Sequence, residues 1–304
     1  MYNRVLVTGA NGLVGQAVVR LFGQIPEFDL LATSRDDEPR FAHGSGGYVR
    51  LDITDEEAIQ RVFDDFAPTD VVHLAAMTRV EDCEENRAAC WATNVDAVTS
   101  MIGACRNHGS RLILASTDFV FSGSDGPYGE DSLPSPVNYY GRSKLAAENL
   151  VRASGLARWS IFRTALVFGL TAPPVRSNFA TFLMRELGAG RLVRVPNDQV
   201  RTPTFVDDLA EGLANLIRFR KDGVYHLSGR EMIGVDELAT RLAEVFDYRH
   251  NLISSVSTEE LHPDAPRPLE TGLLILKAES ELGFRPTPLV EALKRIREIS
   301  RSEG

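Results

Sequence analysis

The stretch Gly9-Ala10-Asn11-Gly12-Leu13-Val14-Gly15 follows the apolar run Val5-Leu6-Val7 and opens a pattern of Val14, Val18, Leu21 and Phe22 at helical spacing. Strand, glycine loop, helix is the setting in which a turn can hold a dinucleotide. Each glycine then has its own task. Gly9 lets the chain leave the strand in a tight turn, Gly12 clears backbone N–H groups for a pyrophosphate, and Gly15 lets the helix press on the strand. The helix N-terminus adds unpaired donors and a partial positive charge. The spacing is G-x2-G-x2-G rather than G-x-G-x2-G, and an ordinary glycine turn would look the same. The rest of the chain has to decide.

Working outward, apolar strand patterns recur at 5–7, 30–33, 48–51, 71–74, 111–115 and 159–162, with helical patterns between them, the longer ones near 84–107 and 138–153. Thr54, with Glu57 three residues on, reads as a capping box that opens a helix carrying Ile59, Val62, Phe63 and Phe66 on one face. Alternating β and α units of this length predict an α/β fold: a doubly wound parallel sheet, or Rossmann fold, with ligands at the carboxyl ends of its strands. After residue 168 the rhythm changes. Residues 171–177 and 263–272 are breakers, helices are expected at 178–188, 204–219 and 236–246, and strands at 191–195 and 223–227. The last helix carries Leu289, Leu293 and Ile296. The expected division is a dinucleotide-binding domain at 1–168, with a return segment near 203–228, and a smaller, discontinuous substrate lobe at 169–304.

The length of 304 residues fits one large or two modest domains, and the net charge of −9 argues against nucleic acid as the main partner. No apolar run reaches the ~18 residues of a membrane span, and no address signal is visible, so the cytoplasm is the expected location. Cys83, Cys90 and Cys105 are odd in number and lack zinc spacing, and the histidines are scattered. All three cysteines read as structural, and no metal is expected.

Tyr140 and Lys144 stand four residues apart on a helix and so share a face. A phenol ordinarily titrates near 10, and a neighbouring ammonium is expected to favour the phenolate and lower that value. Thr117 lies at the end of the fifth strand, where a hydroxyl can polarise a carbonyl, although Ser and Thr at strand ends more often form turns. Three signals thus fall in order: a glycine loop after strand one, a hydroxyl after strand five, and Tyr-x3-Lys on the next helix.

With these residues the chain resembles the extended short-chain dehydrogenase/reductase family, and within it the sugar-nucleotide reductases related to dTDP-4-dehydrorhamnose reductase. The likeness runs through Asn94-Val95-Asp96-Ala97, Ser116-Thr117-Asp118-Phe119-Val120-Phe121, Tyr140-Gly141-Arg142-Ser143-Lys144-Leu145, Arg163-Thr164, Arg201-Thr202-Pro203-Thr204 and Asp207-Asp208-Leu209-Ala210. The resemblance implies Tyr140 as the acid, Lys144 as its partner and Thr117 as the polarising hydroxyl. It implies cofactor contacts from Gly9, Asn11, Gly12, Leu13, Val14 and Gly15, from Asp52 and Ile53 at the adenine, from Leu74, Ala75 and Ala76 at the ribose, and from Asn94 and Ser116. Asp118, Asn178, Arg201 and Arg267 would face the substrate, the two arginines as cations on a nucleotide-sugar diphosphate; both equally fit ordinary salt bridges.

Ser34 and Arg35, twenty residues past the loop, favour the extra phosphate of NADP, whereas Asp36 and Asp37 leave NAD open. The implied activity is an NAD(P)H-dependent reduction of a 4-keto group on a nucleotide-activated deoxysugar, with a homodimer as an open assembly. Leu166 departs from the tryptophan that rhamnose-pathway reductases tend to carry after Arg-Thr-x. Dehydration is disfavoured, because Phe119 occupies the place of the required acid. An NAD-dependent nucleotide-sugar epimerase is an alternative, as is a non-catalytic NADP-binding regulatory subunit resembling the methionine adenosyltransferase beta subunit.

Overall fold

The computed structural model describes residues 3–41, 46–170, 178–261 and 264–302, so the breaker expected at 171–177 lies outside the described residues. Strands β1 (Asn3–Thr8), β2 (Phe28–Ser34), β3 (Gly47–Arg50), β4 (Asp70–His73), β5 (Arg111–Thr117) and β6 (Trp159–Thr164) pair in parallel. A seventh strand, Gly223–His226, returns to the sheet beside β6, so the order is 7-6-5-4-1-2-3. Val5, Leu6, Val7, Val71, Val72, Leu112, Ile113 and Leu114 are fully buried, as the apolar runs of a sheet covered on both faces require. On one face α1 (Leu13–Phe22) and α8 (Val206–Arg218) share a core; on the other, α2 (Glu56–Phe66), α5 (Ala97–His108) and α6 (Tyr139–Ala153) share a second.

The strand order reverses between β1 and β4. A crevice opens at the carboxyl ends of such a pair, because the chain leaves them toward opposite faces. There Thr8 Oγ1 and His73 Nδ1 lie 2.9 Å apart, tying the two strand ends together.

Two local expectations need correction. Helix α2 is capped by Asp55, whose Oδ1 accepts from Ala58 N at 2.9 Å; the Thr54 hydroxyl donates instead to Asp52 Oδ1 at 2.8 Å. The helix expected at 84–107 is interrupted. Helices α3 (Val80–Glu85) and α4 (Arg87–Trp91) break at Asn86, which caps α4 through Ala89 N, and a π-helical turn (Ala92–Asp96) leads into α5. The wide turn holds Asn94, discussed below.

In the second lobe α7 (Phe179–Gly188), α9 (Val235–Phe246) and the helix Leu289–Ser302 pack around strand Val193–Pro196, which pairs in parallel with Ile253–Val256. The chain does not stay there. Besides α8 and the seventh strand, Ile275, Ala278, Leu282 and Phe284 join the α1–α8 core, so 275–284 belongs with the sheet layer rather than with the lobe at 169–304.

Candidate active site

The loop after β1 is shaped by backbone contact. Gly9 adopts φ +70°, and a Cβ there would meet Ala75 N at 2.7 Å; at Gly15 a Cβ would meet Gly9 O at 2.3 Å and Ala10 Cα at 2.6 Å. Glycine is therefore obligatory at both. Gly12 differs: within 4 Å a Cβ would meet only Gly9 O, at 3.3 Å. Packing within the chain leaves the space before Gly12, the N-cap of α1, open to an approaching phosphate. Leu13 and Val14 pack against the core below.

Asn11 is turned to structural use. Its Nδ2 donates to Ser34 Oγ (2.9 Å), Asp36 Oδ2 (2.8 Å) and Glu38 O (3.1 Å), and its Oδ1 accepts from Arg40 N (2.9 Å). The Ser34 hydroxyl also bonds Tyr48 Oη at 2.8 Å, so it belongs to this network rather than standing free for a phosphate. Asp36 pairs with Arg40 and Asp37 with Arg50, each at 3.1 Å, while Arg35 is exposed. The acids that would select NAD are thereby engaged, and the arginine is presented. Asp52 is exposed with its carboxylate on Thr54, whose hydrogen bonds hold its pKa below the usual value, and Ile53 is buried in the core.

A cleft of about 800 Å³ runs from Val14, Leu74 and Ala76 past Ser116, Thr117, Tyr140 and Lys144 to Asn178, Arg201 and Arg267. Ala75 lies behind it, its N–H donating to Thr8 Oγ1 at 3.3 Å. Asn138 caps α6 through Gly141 N (2.8 Å) and so fixes the first turn that presents Tyr140. Lys144 is 3% exposed, and none of the hydrogen bonds described for the chain engages its Nζ. Burial pushes its pKa down to about 8, against the opposing pull of Glu148. The phenol of Tyr140 moves up, not down as expected from Lys144: loss of water raises it, Asp118 adds to the rise, and only the Thr117 hydroxyl opposes. Thr117 Oγ1 donates to Asp118 Oδ1 at 3.0 Å and accepts from Phe119 N at 3.2 Å.

Sequence reasoning missed Glu148, although its signal was the same i+4 spacing, counted onward from Lys144. Its buried carboxylate accepts from Ser116 Oγ (2.6 Å), Arg163 Nε (2.8 Å) and an Arg163 terminal nitrogen (2.7 Å). Burial raises its pKa, but Arg163 more than reverses this, so it stays an anion beneath Lys144. Ser116 is thereby committed to Glu148. Asn94 is committed too: Nδ2 donates to Met77 O (2.9 Å) and Ser143 Oγ (3.0 Å), and Oδ1 accepts from Met77 N (2.8 Å). It pins the segment after β4 to α6 instead of facing a cofactor.

The substrate residues divide similarly. Arg201 is 2% exposed, and its donors reach Val200 O, Leu269 O, Gln199 Oε1 and Pro268 O, with Asp118 Oδ2 at 3.5 Å from Nε. A guanidinium has five N–H groups; four of them, on the two terminal nitrogens, have these acceptors, and the fifth, on Nε, faces Asp118 as an ion pair, so most of the fork is already engaged within the chain. Asp118 also accepts from Thr271 Oγ1, and burial raises its pKa against Arg201. Asn178 caps α7, accepting from Ala180 N and Thr181 N while donating to Gly169 O. Arg267 is the exception: one nitrogen pairs with Glu81, and its buried Nε has no partner. The wall left thin by Leu166, which sits at φ +39°, is lined by aromatic rings from other elements, Phe179 and Phe182 of α7 and Phe119. The Phe119 ring stands edge-on to Tyr140 at 6.0 Å.

The three cysteines are buried and free. Among the described residues no group of three or more His, Cys, Asp or Glu is placed to hold a metal, and no helix is long and apolar enough to cross a membrane.

Known proteins share this architecture. Methionine adenosyltransferase 2 subunit beta of Danio rerio is 30% identical over 301 residues, 96% of this chain and 90% of that protein. The dTDP-4-keto-6-deoxy-D-glucose reductase of Streptomyces niveus is 34% identical over 227 residues, 74% of this chain and 73% of the relative. The 2.65 Å crystal structure of dTDP-4-dehydrorhamnose reductase from Bacillus anthracis in complex with NADP superposes with a TM-score of 0.87 at 28% identity, covering 98% of this chain and 100% of the other. A family model for the RmlD substrate binding domain matches residues 3–301, and the chain belongs to that family.

Proposed function

We propose that the chain is an NADPH-dependent reductase of a nucleotide-activated 4-keto-deoxysugar, acting like the dTDP-4-dehydrorhamnose reductases. The observation that carries this reading is the convergence of Thr117, Tyr140 and Lys144 on one cleft that also reaches the glycine loop at Val14. Three features fit the cofactor: the open space at Gly12, the buried ammonium of Lys144, and the exposed Arg35 beside two engaged aspartates. When bound, the nicotinamide supplies the hydride. Tyr140 holds the proton at Oη, and its raised pKa keeps the phenol protonated at neutral pH, the state a donor needs. The Lys144 charge then favours the phenolate left behind. Thr117, by turning its one O–H from Asp118 Oδ1 to the substrate, would orient a ketone oxygen toward that proton.

The test is NADPH consumption with dTDP-, UDP- and GDP-linked 4-keto-6-deoxysugars. Tyr140→Phe should lower kcat by about 10²–10⁴-fold while NADPH affinity stays within about twofold; a fully active variant would remove Tyr140 from its role. A second reading, a regulatory subunit, is favoured by the relative that is 30% identical over 96% of this chain. It would gain if none of these ketones were reduced and a co-purifying enzyme changed its activity instead.

A further inference from the structure

The cleft holds two arginine–carboxylate pairs of opposite character. Arg201 and Asp118 are both almost fully buried, and both terminal nitrogens of Arg201 have an acceptor for each N–H. Arg267 and Glu81 are 15% and 32% exposed; a single terminal nitrogen of Arg267 reaches Glu81, and the buried Nε is left without a partner. An orphaned buried donor costs free energy until an acceptor arrives. The two guanidiniums also repel one another, and each has its own carboxylate beside it.

The strap that carries Arg267 is otherwise anchored. Pro266 O accepts from Asn138 Nδ2 at 2.9 Å, at the cap of the helix bearing Tyr140, and the carbonyls of Pro268 and Leu269 accept from Arg201 at 2.6 and 2.7 Å. The backbone at 266–269 is therefore held on both sides, and the exchangeable element is the side-chain pair. Glu81 lies in the first turn of the six-residue helix α3, and both it and Arg267 line the cleft.

We propose that Glu81 is the resident counter-ion of Arg267, displaced when an anionic substrate enters, and that it thereby sets how strongly the cleft discriminates phosphorylated from neutral ligands. This rests on the reductase reading only for the substrate's identity. A diphosphate brings several charged acceptors to a planar fork that now has one carboxylate on one nitrogen. The carboxylate it displaces is a third exposed.

The experiment is titration calorimetry with dTDP and with thymidine as probes. Glu81→Gln should bind dTDP on the order of tenfold more tightly, as expected when a partly exposed competing charge is removed, with thymidine binding unchanged. Arg267→Ala should weaken dTDP and erase the gain from Glu81→Gln in the double variant. Equal or weaker dTDP binding by Glu81→Gln, or an undiminished gain without Arg267, would overturn the proposal. Circular dichroism of each variant separates these outcomes from misfolding. If the cycle behaves as expected but no 4-ketosugar is reduced, the counter-ion role stands and the reductase reading falls. If reduction occurs without coupling between 81 and 267, the reverse holds.

Discussion

Lys144 should destabilise the free protein, and the size of that penalty follows from its surroundings. Burial moves its pKa from an ordinary 10.5 to about 8. At about 1.4 kcal/mol per pH unit, holding the ammonium in the fold costs about 3 kcal/mol. Below pH 8 both folded and unfolded chains carry the proton and the full cost is present. Between pH 8 and 10.5 the unfolded chain retains a proton that the folded one has released, so stability rises with pH; above that window the cost is gone. Lys144→Met keeps an unbranched side chain of similar length and leaves Glu148 its two arginine partners, Arg163 and Arg152. The variant should therefore be more stable than the parent by up to about 3 kcal/mol at pH 7, and should lose that advantage by about pH 10.5. Urea unfolding of both proteins at the two pH values, with the slope checked for constancy, measures it. Lower stability of the variant at pH 7, or an advantage that does not change with pH, would refute the reasoning. On the proposed reading turnover should be lost in the same variant, because the site would then use the ammonium that the fold keeps at a cost.

Two further outcomes follow from how the arginines are held. Arg35→Ala should weaken NADPH much more than NADH, since Asp36 and Asp37 stay paired with Arg40 and Arg50; equal losses in a fluorescence titration would take the phosphate contact away from Arg35. Arg201→Met removes the cation beside buried Asp118 and takes the donor from Pro268 O and Gln199 Oε1, so thermal or urea unfolding should show a loss of about 3–5 kcal/mol. A variant of parental stability with only a raised KM would instead make Arg201 a ligand contact.

The glycine loop, the strand runs and the Tyr-x3-Lys spacing were legible because each is a local pattern: Gly9 and Gly15 answer to atoms of residues that strand, turn and helix necessarily bring near. What sequence could not weigh was the pairing of polar side chains over long separations. Arg201 finds its acceptors 67 and 68 residues away, Asn94 finds Met77 17 residues back, and Asn11 reaches Ser34. In each case the residue type suited a ligand, but a backbone carbonyl or a hydroxyl had already claimed it. The cap at α2 failed on a smaller scale, since Thr54 and Asp55 compete for one role and Asp52 had drawn Thr54 away. The phenol's raised pKa escaped for the same reason: proximity of Lys144 is visible in spacing, whereas the exclusion of water is a property of the assembled cleft.

The chain's repeated passage between its two layers bears on how such a protein can change its substrate. Among the described residues, the cores of the sheet layer draw on residues between Val5 and Phe162, on 206–227 and on 275–284, and the other core draws on Phe168, 180–205, 233–243 and 289–296. No single cut in the sequence separates one layer from the other, so neither layer can be exchanged as a cassette by recombination. Changes in this architecture come one side chain at a time, at positions such as Phe119, Leu166 and Phe182 on the apolar wall of the cleft. The fixed polar staples around them keep the two layers in register while those positions drift.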